Sequence, residues 1–195
     1  MRKVVLLSIL LAVVLSRDVG AQTSYDSLFS AADKGNVAKM VELGDLMLNG
    51  KGPGRSVGEA MRWYMKAADK GSAEAECNIG NMYEKGLGVK RDNFEAIKWY
   101  RKSAEKGFPR GAASLGTMYE HGNGTAQDHN EAFKWYKKAA DAKYDYGYLN
   151  VGRAYEEGLG VKIDLIEAKK WYDKAAALGN PMAQGKLGLM YERGM

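Results

Sequence analysis

Tryptophan occurs four times in this chain, each time followed by tyrosine, and the pairs Trp63-Tyr64, Trp99-Tyr100, Trp135-Tyr136 and Trp171-Tyr172 stand 36 residues apart. A Glu-Ala pair precedes each by the same offset, at Glu59-Ala60, Glu95-Ala96, Glu131-Ala132 and Glu167-Ala168. An apolar-Gly pair recurs at Leu43-Gly44, Ile79-Gly80, Leu115-Gly116, Val151-Gly152 and Leu187-Gly188. Tyrosine follows three residues after that glycine at Tyr83, Tyr119, Tyr155 and Tyr191, with Met47 in the slot of the first repeat. Paired glycines close each block, at Gly50 and Gly52, Gly86 and Gly88, Gly122 and Gly124, Gly158 and Gly160. A period held over so many slots marks a supersecondary unit that buries its apolar face only by stacking on copies of itself.

Each unit reads as two helices. The first, helix A, runs from about Ala73 to Lys85 in the second repeat, where Ala75, Ile79, Met82 and Tyr83 share one helical face. Gly86 and Gly88 end it, since glycine takes the left-handed C-cap conformation without a Cβ clash. Helix B runs from about Asp92 to Glu105, with Ala96, Trp99, Tyr100, Ser103 and Ala104 as its buried stripe. Asp92 with Glu95, Asp128 with Glu131, Asp164 with Glu167 and Ser56 with Glu59 fit a capping-box pattern. These acids recur with the frame, so they are assigned to helix starts and not to catalysis. Pro109 and Pro181 fall in the first turn of a helix A, where proline is tolerated, and Pro53 falls in a loop.

Gly80, Gly116 and Gly152 lie inside helices, where glycine costs about 1 kcal/mol relative to alanine. That cost implies helix backbones in close approach. The indoles of Trp63, Trp99, Trp135 and Trp171 are expected to wedge beside neighbouring alanines. Truncating Trp99 or Trp135 to alanine is then expected to cost about 3–5 kcal/mol.

The N-terminus reads as a Sec signal peptide. Arg2 and Lys3 precede an apolar run from Val4 to Leu15, broken only by Ser8, and Val19-Gly20-Ala21 places small residues before a cut after Ala21. The run is shorter than the roughly 20 residues a membrane span needs. A periplasmic or secreted location is expected, with no stable membrane insertion after cleavage. Residues 1–21 hold three basic residues and one acidic, so the remainder carries 26 basic against 23 acidic side chains, a net +3. That balance is too mild to argue for a nucleic-acid partner. Cys77 is the one cysteine, so packing alone must hold the fold, and its slot, shared with Val41, Ala113 and Leu149, assigns it a small apolar role.

These residues resemble the Sel-one-like repeat (SLR) family, relatives of the tetratricopeptide repeats. Ile79 to Gly107 fit the family pattern with Ser103 in place of one alanine, and Val151 to Gly179 fit it nearly as well. The resemblance covers the chain from about Ala31 onward and implies an all-α, right-handed α/α solenoid of 36-residue helix-turn-helix repeats. Residues 22–36 are expected to form an N-terminal capping half repeat, and 37–195 four full repeats plus a final helix A. That last helix lacks its helix B, so either the chain is part of a longer protein or the helix docks on something. Lys143 replaces the glycine of Gly71, Gly107 and Gly179, which leaves that turn open to reshaping.

The resemblance implies a scaffold or adaptor of the bacterial envelope that binds a partner protein or peptide on its concave face. It brings no catalytic residues and no cofactor, and the chain is read as not an enzyme. The alternative is a cell-wall or β-lactam hydrolase built on the solenoid, although no nucleophile–base arrangement is visible. If helix A lines the concave face, three outward rows form there. One is Asp45, Asn81, Thr117 and Arg153; the next is Glu84, Glu120, Glu156 and Glu192; the last is Lys85, His121, Glu157 and Arg193. The first and last rows vary between repeats, as a specific groove requires. The constant glutamate row reads either as a site for a basic ligand or as a solvated face. Charge reversal at Glu120 and Glu156 is expected to weaken partner capture without lowering stability. His121 and His129 are the two histidines, and no acid-cysteine cluster joins them, so no metal site is assigned.

Overall fold

Helices, most of thirteen residues, alternate with short loops through the described part of the chain, which in this computed structural model comprises residues 24–50, 54 and 56–194. The expected signal peptide, Gly52 and Pro53 lie outside the described residues. Helix α1 covers 24–33. It is followed by α2 (Val37–Asn49), α3 (Val57–Asp69), α4 (Ala73–Lys85), α5 (Asn93–Glu105) and α6 (Pro109–His121). Then come α7 (His129–Asp141), α8 (Asp145–Glu157), α9 (Leu165–Ala177) and α10 (Pro181–Glu192). The even-numbered helices are A helices and the odd-numbered ones B helices. The chain forms an α/α solenoid, and its helices group into two compact units, one ending at Lys70 and one beginning at Gly71.

The helix ends follow from local chemistry. Gly50, Gly86, Gly122 and Gly158 close the A helices with φ between 67° and 76°, the left-handed region that glycine enters without strain. Asp92, Asp128 and Asp164 cap the B helices, each carboxylate accepting from the backbone N–H three residues on at 2.9–3.0 Å. Ser56 makes no such side-chain bond, against expectation. The reciprocal arm of a capping box is also not formed. Glu95 and Glu131 turn instead to Lys98 at 2.5 Å and Lys134 at 3.0 Å, while Glu167 pairs with Lys170. The cap residue's own N–H donates to the preceding A helix, Asp92 to the Tyr83 carbonyl at 3.0 Å and Asp164 to that of Tyr155 at 2.9 Å. Each cap therefore fastens B to A as well as starting B.

Lys143 leaves its turn intact. It adopts φ 58°, and its N–H reaches the Ala140 carbonyl at 2.8 Å, as that of Gly107 reaches Ala104 at 3.0 Å. The reshaping left open by the sequence does not occur, because the lysine accepts the left-handed strain.

The glycines inside the A helices admit a ring. A methyl group on Gly80 would lie 2.7 Å from Tyr100, one on Gly116 2.6 Å from Tyr136 and one on Gly152 2.7 Å from Tyr172. Gly44 and Tyr64 repeat the arrangement in the first unit, at 2.5 Å. The wedge expected of the indoles is made by the phenols: Tyr64 and Tyr172 are fully buried and Tyr100 and Tyr136 nearly so. Trp63 and Trp135 are buried, but Trp99 and Trp171 are half-buried. Each indole carries a lysine ammonium over its face, with Lys66, Lys102, Lys138 and Lys174 at 3.7–4.1 Å from their ring centroids. The tryptophans thus pack with a lysine over one face, and the tyrosines form the seam. Cys77 is buried, and burial pushes its thiol up from the ordinary range, consistent with a packing role.

Candidate functional site

In the second unit α4 packs on α6 and α6 on α8, so the A helices present one continuous face. The glutamate row lies at its inner edge, where it receives the buried tyrosine hydroxyls. Tyr100 donates to Glu84 at 2.5 Å, Tyr136 to Glu120 at 2.7 Å and Tyr172 to Glu156 at 2.5 Å. Burial first, and the carboxylate second, push Tyr100 and Tyr172 above the ordinary phenol range, and burial does the same at Tyr136.

Glu120 is buried and doubly engaged, because both terminal nitrogens of Arg153 donate to it, at 2.8 and 2.5 Å. Lys186 donates to Glu156 at 2.7 Å. Burial raises the pKa of both carboxyls, but hydrogen bonds from Arg153 and Tyr136 at Glu120, and from Lys186 and Tyr172 at Glu156, outweigh it and hold them below the ordinary range. Reversing charge at Glu120 would strip partners from a buried tyrosine and an arginine, so a loss of stability is expected there.

The other rows divide. Thr117 is half-buried and donates to the Ala113 carbonyl at 3.1 Å, with the Tyr136 hydroxyl at 3.2 Å. Asn81 is half-buried. Lys85, His121 and Glu157 are exposed at the last position of their helices. His121 stands 3.9 Å from Glu120, and His129 lies on the next helix, half-buried.

Arg153 is the predicted residue that lines a groove. It lines a groove of about 510 Å³ between α8 and α10, together with Tyr146, Leu149 and Asn150 of α8 and Met182, Gly185, Lys186 and Leu189 of α10, backed by Tyr172. Asn180 fixes the two helices at this end. Its side-chain oxygen caps α10 by accepting from the Ala183 N–H at 3.0 Å, and its amide donates to Asp145 at 2.8 Å. Tyr146, Met182 and Leu189 are large apolar side chains left about half exposed, and all three line this groove. The rows taken from the sequence missed them. Tyr146, Leu149 and Asn150 precede Arg153 by seven, four and three residues, the spacing of one helical face, so stepping back from the first row finds them.

Paired helices in a 36-residue period, seamed by a tyrosine over a glycine and carrying varied residues on their A face, define a solenoid repeat protein of the tetratricopeptide kind. The chain belongs to the Sel1 repeat family, whose repeat matches residues 40–72, 73–108, 109–144, 145–180 and 181–195. A protective antigen of uropathogenic Escherichia coli displaying an SLR fold is 38% identical, with a TM-score of 0.80 over 88% of this chain and 37% of its own length. A Sel1 repeat protein from Oxalobacter formigenes is 34% identical, with a TM-score of 0.79 over 88% of this chain and 76% of its own. Helicobacter pylori cysteine rich protein B is 25% identical, with a TM-score of 0.51 over 67% of this chain and 98% of its own. Among curated proteins none matches this chain. Sel1 repeat proteins act generally in protein–protein interaction, on a fold that is generally a non-enzymatic scaffold.

Proposed function

We propose that this protein is an exported scaffold of the bacterial envelope, periplasmic or secreted, that holds a partner protein or peptide on the face its A helices share. The observation that carries the reading is a contrast within that face. The slots that build the fold are constant, with glycine at Gly80, Gly116 and Gly152 and glutamate at Glu84, Glu120 and Glu156. The slots beside them differ in every repeat: Asn81, Thr117, Arg153 and Leu189 in one row, and Lys85, His121, Glu157 and Arg193 in another. A surface that varies on a fixed frame serves recognition better than stability, and an apolar groove opens on it between α8 and α10.

Export is supported by the basic start, the short apolar run and the small residues before Gln22. The experiment has two readouts. The mass of protein recovered from the periplasm or medium is expected to correspond to a chain beginning at Gln22. The same chain, immobilised, is expected to retain a specific envelope protein from a detergent extract. Recovery only as an unprocessed cytoplasmic chain would refute export, and an empty capture would refute the scaffold.

A further inference from the structure

We infer that the crevice where the C-terminal ends of α5 and α7 meet the start of α6 receives a basic side chain, lysine or arginine, of a partner protein. That side chain takes the place the solenoid fills with its own lysine one repeat earlier. The inference rests on the reading of the chain as a protein-binding scaffold and adds a contact at the turns between its helices.

The chain itself supplies the precedent. In the second repeat Lys106, the first residue past α5, donates to the buried Glu76 at 2.7 Å and to the Gly71 carbonyl at 3.4 Å. Lys70 holds the same slot in the first repeat, and a methyl group on Gly35 would lie 3.5 Å from its ammonium nitrogen. In both repeats a lysine thus crosses to the turn glycine of the repeat before. In the third repeat the lysine slot holds Ala142 and the glutamate slot Ala112. With both halves of the pair gone a crevice of about 410 Å³ opens, and the two alanines line it beside Ala104, Gly107 and Pro109. Gly107 is the counterpart of Gly71, and Ala142 cannot supply the donor that Lys106 gives there.

Charge selects the occupant. Glu105 and Asp141, the last residues of α5 and α7, edge the crevice. Glu105 enters no ion pair among the described residues. Asp141 lies 3.4 Å from Lys137, but that pair is exposed and one turn apart on a single helix, so it contributes little and leaves the carboxylate open. The two helix ends add the negative pole of the helix dipole. Lys138 is the one cation of the described lining, and it sits over the Trp135 ring at 3.9 Å from the centroid. The matching crevice of the first unit is lined by Lys34, Lys66 and Lys70 against Asp33 and Asp69, and selects no cation. A basic side chain covers the alanines and Pro109 with its apolar stem while its head stays at the acids.

The test pans a phage-displayed random dodecapeptide library on the purified full chain and measures the recovered peptides by fluorescence anisotropy. Each is expected to contain a lysine or arginine whose replacement by alanine weakens binding about tenfold. Affinity is expected to fall about tenfold in Ala142→Lys, which restores the chain's own lysine, and severalfold in Glu105→Gln or at raised salt. Ala142→Met fills the crevice without adding charge, so a severalfold loss there separates occupancy from repulsion. Ala142 is exposed just past α7, and both variants are expected to melt with the parent; should Ala142→Lys fail to fold, Ala142→Met carries the test. Peptides that bind without a basic residue, or binding to the parent and Ala142→Met that is equal, would overturn this inference while leaving the scaffold reading intact. So would capture of an envelope protein by a chain that selects no peptide. Failure of the parent to bind any peptide or envelope protein would overturn the scaffold reading and this inference with it.

Discussion

Gly152 and Gly185 lie on consecutive A helices, α8 and α10, yet their surroundings are opposite. At Gly152 the missing methyl makes room for the ring of Tyr172, 2.7 Å from where a Cβ would stand. At Gly185 the missing methyl leaves room that no residue of the chain fills. The first kind of glycine is part of the fold's seam, repeated at Gly80 and Gly116. The second appears in one repeat only. A glycine that recurs against a buried tyrosine belongs to the scaffold.

The comparison breaks first at the seam. Tyr172→Ala empties a fully buried site beneath α8 and removes the hydroxyl from Glu156. Its expected cost is about 3–5 kcal/mol, read from urea denaturation. A loss below about 1 kcal/mol would show that the ring does not hold the two helices together.

Glu120→Ala follows, at about 3 kcal/mol, because it leaves the Tyr136 hydroxyl and the Arg153 guanidinium without their shared acceptor. The same residue gives a pH dependence. Its folded-state carboxyl is held below the ordinary range, so the folded state binds its proton less readily than the unfolded chain. The stability this confers is complete above the ordinary glutamate value of about 4.3 and is lost as pH falls through the lower folded value. Glu156 acts in the same direction. Melts taken from about pH 6 down to about pH 3 are expected to show a shallower acid loss in Glu120→Gln than in the parent.

Gly152→Ala tests the seam with a single methyl. The Tyr172 ring is buried and cannot swing away, so overpacking is expected to cost about 1–3 kcal/mol despite the better helix propensity of alanine. Gly185→Ala is the matched control, with the sign reversed. Its methyl enters open space, so the propensity term acts alone and the variant is expected to gain about 1 kcal/mol. Equal effects at the two positions would erase the distinction between them.

Much of the frame was legible because it repeats. The bounds of α4, the glycine C-caps and the proline starts of α6 and α10 all follow from local rules that act within one turn of helix. The ring that enters the seam was not legible. Trp and Tyr are adjacent in every repeat, and periodicity alone cannot say which of two neighbours, set about 100° apart on the helix, points at the glycine. The packing of A on B decides it in favour of Tyr, which leaves Trp99 half-buried and lowers the cost expected of its removal. The glutamate row misled for a related reason. Regular recurrence at a polar slot reads as solvent or ligand contact, whereas Glu120 recurs as the acceptor for a buried hydroxyl, a pairing of residues 16 apart that needs the hairpin to be seen. Of the predicted site residues only Arg153 lines the groove; the others around it vary between repeats, which hid them from a search for repetition.

Lys143 supplies the inverse of Gly185: a side chain where the period calls for glycine. Gly71, Gly107 and Gly179 hold φ of 83–91° in the equivalent turns, and Lys143 holds 58°. An L-residue there is strained by roughly 1–2 kcal/mol. Lys143→Gly relieves that strain but adds freedom to the unfolded chain, which returns about 0.5–1 kcal/mol of the gain. The expected net is a stabilisation under about 1 kcal/mol, the smallest effect of the set. Its sign still decides something. A rise in melting temperature would mean that the turn prefers glycine and tolerates the lysine. A fall would mean that the lysine side chain contributes enough at the junction of α7 and α8 to outweigh its own backbone strain, and that a departure from the period can be stabilising outside the groove.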